Sequence, residues 1–560
     1  MSRRLSRIHV LAALALGLAA AQCNVILGLD KYVDGTGNGG AGAGTTASST
    51  SSTTTASSSG QGGGSDGGTG GSGACTPNQA MACYTGPAGT EGVGECIGGM
   101  ETCAADGSGY GSCLGQVLPK PEDCYTIGDE NCDGNACSDP VWDLAFTDTS
   151  GEPMLGMAVD SMGDVYLAGY SVGTIAVDSQ TFSVAHAGHQ QYYLLKISHQ
   201  APHHLLWQKF LGDGNDNGAL IQVAVDPSDN VIVSGELYSS IVFGGTTMTA
   251  PTGQDSAFVA QYGTDGTYNW GQLFGDAQGA EADQLAIDSQ GNIIVIGQSY
   301  GNTIDFTTTS VTTPGTFVAL FKSTGANVWS LGLGALTNAA AAAGTGNTFV
   351  TGTFSGTLKL GAQTFTSKGG TDVFLSSLDA TGTPTTSAAY GSPGNDGPSS
   401  ISVNAAGTVA IAGVYGGTIN FGTTGLTLPS GTSAGFIATF DSTLAPVWSK
   451  GFAGSPVSAA IVLDTKGDAF VAGHLTGSTN FGAGMLTGAG LTEAYLAKFD
   501  PTGAVLWNKL FDTQAVNIPA VSIDRSTGNV VIAGDLTGST SFGLAPLLGA
   551  NNAFIAEFQY

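Results

Sequence analysis

The sequence predicts an all-β chain built from repeated antiparallel sheets, and three observations carry that prediction. Gly supplies 88 of 560 residues, roughly twice the ordinary share of about 7%, in a chain rich in Val, Ile, Thr and Phe. That is the composition of many strands joined by tight turns. All six Trp lie in the later part of the chain, at Trp142, Trp207, Trp270, Trp329, Trp448 and Trp507, with spacings of 65, 63, 59, 119 and 59. The spacing of 119 is two periods with one Trp missing, and Thr386 falls in the empty slot, so there are seven slots. An Asp-centred marker keeps the same beat: AVDSMGD, AVDPSDN, AIDSQGN, SVNAAGT, VLDTKGD and SIDRSTGN, anchored at Asp160, Asp226, Asp288, Asn404, Asp464 and Asp524, with a degenerate AAAGTGN near Ala343.

Each Asp marker is an apolar alternation, a turn of Asp and Gly, and a second alternation such as VIVSG or VVIAG, which reads as a β-hairpin. A segment typified by GTINFG (417–422) or GSTNFG (477–482) comes third. An aromatic strand such as AFVAQY (257–262), GFIATF (435–440) or AYLAKF (494–499) comes fourth, and a turn like DPTG (500–503) leads into the Trp strand. The unit is four antiparallel strands. Seven such units of about sixty residues predict a seven-bladed β-propeller over 141–560, a radial array that protects its sheet edges. The region starts with a lone Trp strand, VWDLAF (141–146), and ends with an aromatic strand, AFIAEFQY (553–560), that lacks one. The first strand is therefore expected to close the last blade.

The N-terminus reads as an export signal. Arg3, Arg4 and Arg7 form a positive n-region, and the apolar run from Val10 to Ala21 has the length of an h-region and is too short to span a bilayer as a helix. The run ends in LAAAQC, which resembles the lipobox of bacterial lipoproteins, although Gln22 departs from the usual small residue. The resemblance implies a signal peptide at 1–22, lipid attachment at Cys23 and a mature N-terminus at 23–34; an ordinary signal peptide with an incidental Cys is the alternative. The pair Arg3-Arg4 also looks like a twin-arginine export signal. Residues 35–74 are almost wholly Gly, Ser, Thr and Ala and have nothing to bury, so they are expected to form a disordered linker. Forty such residues span about 35 Å r.m.s., enough to hold a folded part clear of a membrane.

Eight Cys follow at 75–140: Cys75, Cys83, Cys96, Cys103, Cys113, Cys124, Cys132 and Cys137. So short a segment cannot bury a sufficient core, and four disulfides are the expected remedy in an oxidising compartment. Their pairing is open, since eight Cys allow 105 connectivities. Zinc is disfavoured because the spacings contain no CxxC. At the end of this segment Asp129, Asn131 and Asp133 alternate before Gly134, with Asp139 beyond, the kind of turn that brings oxygens onto a hard cation. The stretch resembles the calcium loops of dockerin and thrombospondin type 3 repeats and a Cys-flanked metal-binding motif of secreted bacterial proteins, which implies Ca²⁺. An acidic turn between disulfides is the plain alternative.

By its repeat residues, 141–560 resembles the bacterial seven-bladed propeller repeat called SBBP, whose units run from a G-x-G-x-D loop into I-A-V-D-x-x-G-N-V-Y-V-T-G. The whole arrangement is similar to surface lipoproteins of soil-dwelling Gram-negative bacteria. The resemblance speaks to fold and not to activity.

Fifteen Lys and Arg stand against 43 Asp and Glu, a formal charge of −28, so the chain lacks the cations that neutralise phosphates and nucleic acid is not an expected partner. With 42% hydrophobic and 10% charged residues, wholesale disorder is excluded. The expected innermost strands, such as LGMAVD, DQLAID and PAVSID, offer no His, Lys, Arg, Cys or Glu, and their Asp residues are assigned to turns, so an axial catalytic centre is not expected. His186, His189, His199, His203 and His204 cluster in the first repeat, but the strand YYLLKI separates two of them from the other three by roughly 20 Å. The loops entering the inner strands carry oxygen donors: Asp213, Asn215 and Asp216 in GDGNDNG; Asp276 and Asp283 in GDAQGAEAD; Asn395 and Asp396 in GSPGNDG. These loops are expected to share one face and to receive calcium or a polyhydroxylated ligand, unless they only make turns. The expectation is a monomeric, exported, lipid-anchored binding platform for a protein or glycan outside the cell, touching membrane only through its lipid. A hydrolase or lyase acting on surface polymers and a structural envelope component are the rivals.

Overall fold

The computed structural model describes residues 75–120, 129–132 and most of 140–559; within the last stretch the longer omissions are 149–153, 213–217, 251–253, 429–432, 512–515, 537–541, 543–546 and 548–551. The expectations at Cys23, Cys124, Asp133, Cys137, Asp139, Asp213, Asn215, Asp216 and Asp276 lie outside the described residues. Two compact units are present, the Cys-rich segment and the region from Pro140 onward.

The Cys-rich unit is a small antiparallel sheet. Ala80–Cys83 pairs with Gly99–Thr102, which bridges on its other side at Met100 to Leu114. Disulfides Cys75–Cys103, Cys83–Cys113 and Cys96–Cys132 staple it across separations of 28, 30 and 36 residues. Exposure of Met81, Ile97, Met100 and Leu114 at 44 to 70% shows how little core the segment builds, and hence why it uses covalent links.

The larger unit is a ring of seven four-stranded antiparallel blades. In blade one the order from the axis outward is Met154–Val159, Val165–Ser171, Gln191–Ile197 and Leu205–Leu211. The next five blades repeat it. Blade seven takes Val516–Ile523, Val530–Leu536 and Asn552–Phe558 from the end of the chain and Pro140–Asp148 as its outer strand, with Leu144 opposite Ile555. The expected closure by the first strand is what the structure has.

The Trp beat marks one register position. Trp207 faces Lys196, Trp270 faces Gln261, Trp448 faces Thr439 and Trp142 faces Glu557; Thr386 faces Ser377 in the slot without a Trp. Four of the rings, Trp207, Trp270, Trp329 and Trp448, reach to a turn of the next blade. Trp207 Nε1 donates to the Thr264 carbonyl and Trp270 Nε1 to that of Ser323, both at 2.9 Å. Beneath the indoles lie Gly266, Gly325, Gly382 and Gly503, all with φ between 77° and 85°. A Cβ on Gly325 would stand 2.8 Å from Trp270, so Gly is required there by both space and backbone. Blade five breaks this rule beside the missing Trp: its turn carries Leu444 at φ 64°, only 5% exposed and packed in the cluster that includes Tyr390 and Ala388.

The GTINFG segments come in addition to the four strands of each blade; in blade six the segment prolongs the blade strands Ala469–Asn480 and Met485–Phe499. Elsewhere they form separate hairpins between the second and third strands, such as Ser240–Val242 with Thr247–Thr249 and Thr418–Asn420 with Gly425–Thr427. The reason lies in their Phe. Phe306, Phe421, Phe481 and Phe542 are at most 2% exposed and wedge between neighbouring blades. Phe421, for example, sits 5.0 Å from Tyr390 of the preceding outer strand and 4.8 Å from Phe436 of its own third strand. The hairpin is the arm that delivers the wedge.

Candidate functional site

The repeated Asp residues are turn residues. Asp160 Oδ1 accepts the N–H groups of Met162 at 3.0 Å and Asp164 at 2.9 Å, and the same pair of bonds recurs at Asp226, Asp288, Asn404 and Asp464. In two blades a third-strand Lys meets this turn: Lys196 Nζ is 3.0 Å from Asp160 and 3.1 Å from Asp164, and Lys498 Nζ is 3.2 Å from Asp468. Burial works against the Lys196 charge, but hydrogen bonds with Tyr166, Asp160 and Asp164 outweigh it and hold its pKa above the usual lysine value.

The first-blade histidines divide as expected. His186 and His189 meet edge to face at 6.5 Å before the strand Gln191–Ile197. Beyond it His199 Nδ1 lies 3.0 Å from Asp164, and His203 stacks on Trp142 at 4.4 Å, filling the role that Gly plays under the other indoles. Among the described residues no three His, Cys, Asp or Glu side chains form a metal centre. Asp129 and Asn131 of the calcium-like stretch are described and partly buried; the remainder of that stretch is not described.

Of the oxygen-rich loops, the third is described throughout. In the third loop, Asp396 is 1% exposed and accepts bonds from the Ser392 hydroxyl and the Gly416 N–H, each at 2.9 Å, while Asn395 Oδ1 accepts the Thr371 N–H at 3.2 Å. Both side chains are engaged in holding the loop. The first two loops lead to a different arrangement, in which carboxylates gather where blades two and three meet.

Four acids form this group. Glu236, 6% exposed, ends the second strand of blade two (Val231–Leu237), and Asp255 directly precedes the third strand (Ser256–Tyr262). Glu281 and Asp283 lie in the inner strand of blade three, Ala280–Ile287. The expectation that inner strands hold no Glu and only turn Asp therefore fails in blade three. That strand runs further toward the loop face, and a bulge between Ala282 and Gln284 turns Asp283 out of the regular alternation. Strand alternation puts Glu236 on the same face as Ile232, which packs in a core shared with Ile293 and Val295 of blade three.

Two glycines allow the close approach. Gly218, at φ 136°, ends the first loop; a Cβ there would lie 2.8 Å from the Glu236 carbonyl oxygen. Gly279, at φ 105°, lets the second loop pass against Asp255, whose carbonyl accepts the Ala280 N–H at 3.2 Å. Two tyrosines complete the rim. Tyr238 donates to Glu236 Oε1 at 3.0 Å, and Tyr300, 46% exposed, has its N–H on the Gly279 carbonyl at 3.0 Å.

Burial pushes the Glu281 pKa up; a hydrogen bond with Tyr300 offsets part of that and the charge of Asp255 adds to it. Burial raises Asp283 well above the carboxylate range, with Glu281 and Glu236 adding to it and a hydrogen bond with Gln298 opposing. The arrangement can accept hydrogen bonds from a polar ligand or, in its protonated form, donate them.

Asp283 was legible from loop composition, but Glu236, Asp255, Tyr238 and Tyr300 were not. A signal existed. The position after the Gly that nears the end of each second strand reads Tyr170, Glu236, Gln298, Thr353, Val414, His474 and Asp535. Such scatter inside an otherwise strict repeat marks a rim position that packing leaves free.

No family model matches the chain, and no curated protein matches it. Solved structures similar to it include the Pan2 WD40 domain of Neurospora crassa, 10% identical with a TM-score of 0.38, over 75% of this chain and 97% of that one. The WD40 repeats of RRP9 are 9% identical with a TM-score of 0.42, over 75% and 99%. The hemagglutinin-neuraminidase ectodomain of parainfluenza virus 5 is 7% identical with a TM-score of 0.32, over 74% and 82%.

Proposed function

We propose that this chain is an exported, lipid-anchored cell-surface protein that presents its propeller as a non-enzymatic binding platform. The observation that carries the reading is the ring itself. Buried Phe wedges and Trp rings fix each blade on the next, while the loop face between blades two and three keeps buried and partly buried carboxylates beside the exposed Tyr300 at one rim. A rigid scaffold with polar groups held at its rim loses little entropy on binding, which suits recognition. The three disulfides of the preceding unit favour an oxidising compartment and agree with the N-terminal signal. In this reading Cys23 carries the lipid and 35–74 serves as the tether. The partner is a protein or glycan outside the cell, and the chain acts as a monomer.

Mass spectrometry of the mature protein tests the anchor: an acylated N-terminus at Cys23 is expected, and an unmodified N-terminus elsewhere contradicts it. Affinity capture on cell-envelope material with the full chain tests the platform; no retained component contradicts it.

One observation favours a second reading, a hydrolase or lyase of surface polymers. Glu281 and Asp283 are both held toward their protonated forms, as a general acid needs. Polymer cleavage that Glu281→Gln abolishes would establish it in place of the first.

A further inference from the structure

Among the described residues, strand pairing crosses one blade junction, that of blades seven and one. The outer strand Pro140–Asp148 pairs at Thr147 and Asp148 with Ala176 and Ile175 of the blade-one hairpin, so a single sheet runs through six strands from Val516–Ile523 to Gln180–Ser183. Carboxyls gather at that crossing. Trp142, Phe146 and Asp148 alternate on the face of the outer strand that packs on blade one, and Val531, Ala533 and Asp535 do the same on the second strand of blade seven. Opposite them, Leu167 with Ser171 and Leu195 with Tyr193 share the facing sides of blade one. The contacts agree. Ser171 Oγ donates to Asp148 Oδ1 at 3.0 Å, and the Met154 N–H donates to Asp535 Oδ1 at 2.9 Å. Gly169 leaves room for the Tyr193 hydroxyl, which a Cβ there would strike. Asp148 is 5% exposed, and Asp535 Oδ2 is enclosed with no hydrogen bond among the described residues. A charge on that oxygen would be buried and unmatched, which an uncharged acid avoids.

We propose that this junction is a pH-sensitive seam: it closes with a proton held on the Asp148–Asp535 pair, and loss of that proton releases the hairpin Thr174–Ser183 from the strand Pro140–Asp148. The proposal concerns the ring itself and is independent of the platform reading. The groups around the pair are mostly acids and phenols. Tyr193 faces it from the third strand of blade one, and Tyr170 lies near the end of the second. Glu557, further along the third strand of blade seven, is bonded to Trp142. His186 and His189 follow the hairpin in the chain. Asp143 lies on the other face of the outer strand, toward blade six, whose outer strand presents Trp507 and Lys509. Burial raises the Asp535 carboxyl to about 7; the Met154 bond opposes this and the charge of Asp148 adds to it. With the seam open to water the same carboxyl titrates near about 4. The closed form therefore has its full advantage below about pH 4 and loses it as pH rises toward 7, opening becoming about tenfold easier per pH unit and levelling off above.

Hydrogen exchange of the full chain between pH 5 and 8, read by mass spectrometry as protection relative to unstructured peptides, is the test. Protection across 174–183 is expected to fall about tenfold per pH unit up to about pH 7, while the blade-five hairpin, Thr418–Asn420 with Gly425–Thr427, holds steady. Asp535→Asn is expected to remove the slope at 174–183, with the blade-five hairpin reporting that the ring is still folded. Asp148→Asn, which removes the neighbouring charge, is expected to move the fall to lower pH. Protection at 174–183 that is indifferent to pH overturns the proposal, as does a slope that survives Asp535→Asn or a fall that stays in place in Asp148→Asn. An equal fall in both hairpins also overturns it, because the whole ring would then be responding. Calcium chloride that restores protection at pH 8 overturns it too and assigns the pair to a cation.

Discussion

Leu444 and Thr386 are predicted to be a compensating pair, and a double-mutant cycle can expose the coupling. At four other junctions of the ring an outer-strand Trp covers a Gly in the next blade's turn, as Trp329 covers Gly382 and Trp448 covers Gly503. Where Thr386 replaces Trp, Leu444 replaces Gly, buried to 5% exposure and held at φ 64°. Leu444→Gly alone loses a buried side chain, about 3 kcal/mol, and relieves left-handed backbone strain of about 1 kcal/mol, a net loss of about 2 kcal/mol. Thr386→Trp alone forces an indole against Leu444 and costs about 1–3 kcal/mol. Together the two rebuild the Trp-on-Gly contact of the other blades, so the double variant is expected within about 1 kcal/mol of the parent, a coupling of about 3 kcal/mol. Urea denaturation of the four proteins, followed by circular dichroism, measures it. Simple addition of the two single effects would refute the reasoning.

Other consequences are open to direct measurement. Burial raises the Asp535 carboxyl to about 7, with its Oδ1 accepting the Met154 N–H at 2.9 Å. Because its folded pKa lies above the unfolded one, this carboxyl's contribution to stability is fully present below about pH 4 and is lost as pH rises toward 7, by up to about 4 kcal/mol. Asp535→Asn should flatten that slope in urea titrations between pH 4 and 8, and an unchanged slope counts against it. Lys498→Met leaves Asp468 buried without its cation and should cost about 3–5 kcal/mol, whereas adding Asp468→Asn should recover most of that; no recovery in the melting curves contradicts the pairing. Each disulfide closes a loop of 28 to 36 residues, worth about 3.5 kcal/mol in chain entropy. Reductant should therefore open residues 75–132 to proteolysis, and equal resistance with and without it would speak against the staples.

The ring was largely legible in the sequence because its most constrained contacts recur. A Trp that must reach the next turn, and an Asp that must bind two turn N–H groups, leave little room for substitution, so Trp207, Trp270 and Asp226, Asp288 keep time through the chain. That the GTINFG segments form hairpins was not legible, because apolar alternation marks a strand without saying which sheet it joins. Their wedge role depends on Phe421 meeting Tyr390, an outer-strand residue of another blade. The rim group was half legible for a similar reason. Asp283 sits in an acidic stretch, but Glu236 and Tyr300 end ordinary-looking apolar strands and acquire meaning only where two blades face one another. Disulfide partners such as Cys96 and Cys132 meet through chain path, which spacing does not encode.

The central claim is that the chain's two ends share one blade, and removal of residues 141–147 from the full chain tests it most directly. Without that strand, the Asn552–Phe558 amides lose the partners running from Pro140 to Thr147. The expected result is fast hydrogen exchange along 552–558 together with a lower melting temperature for the whole ring. Unchanged exchange and unchanged melting would contradict it.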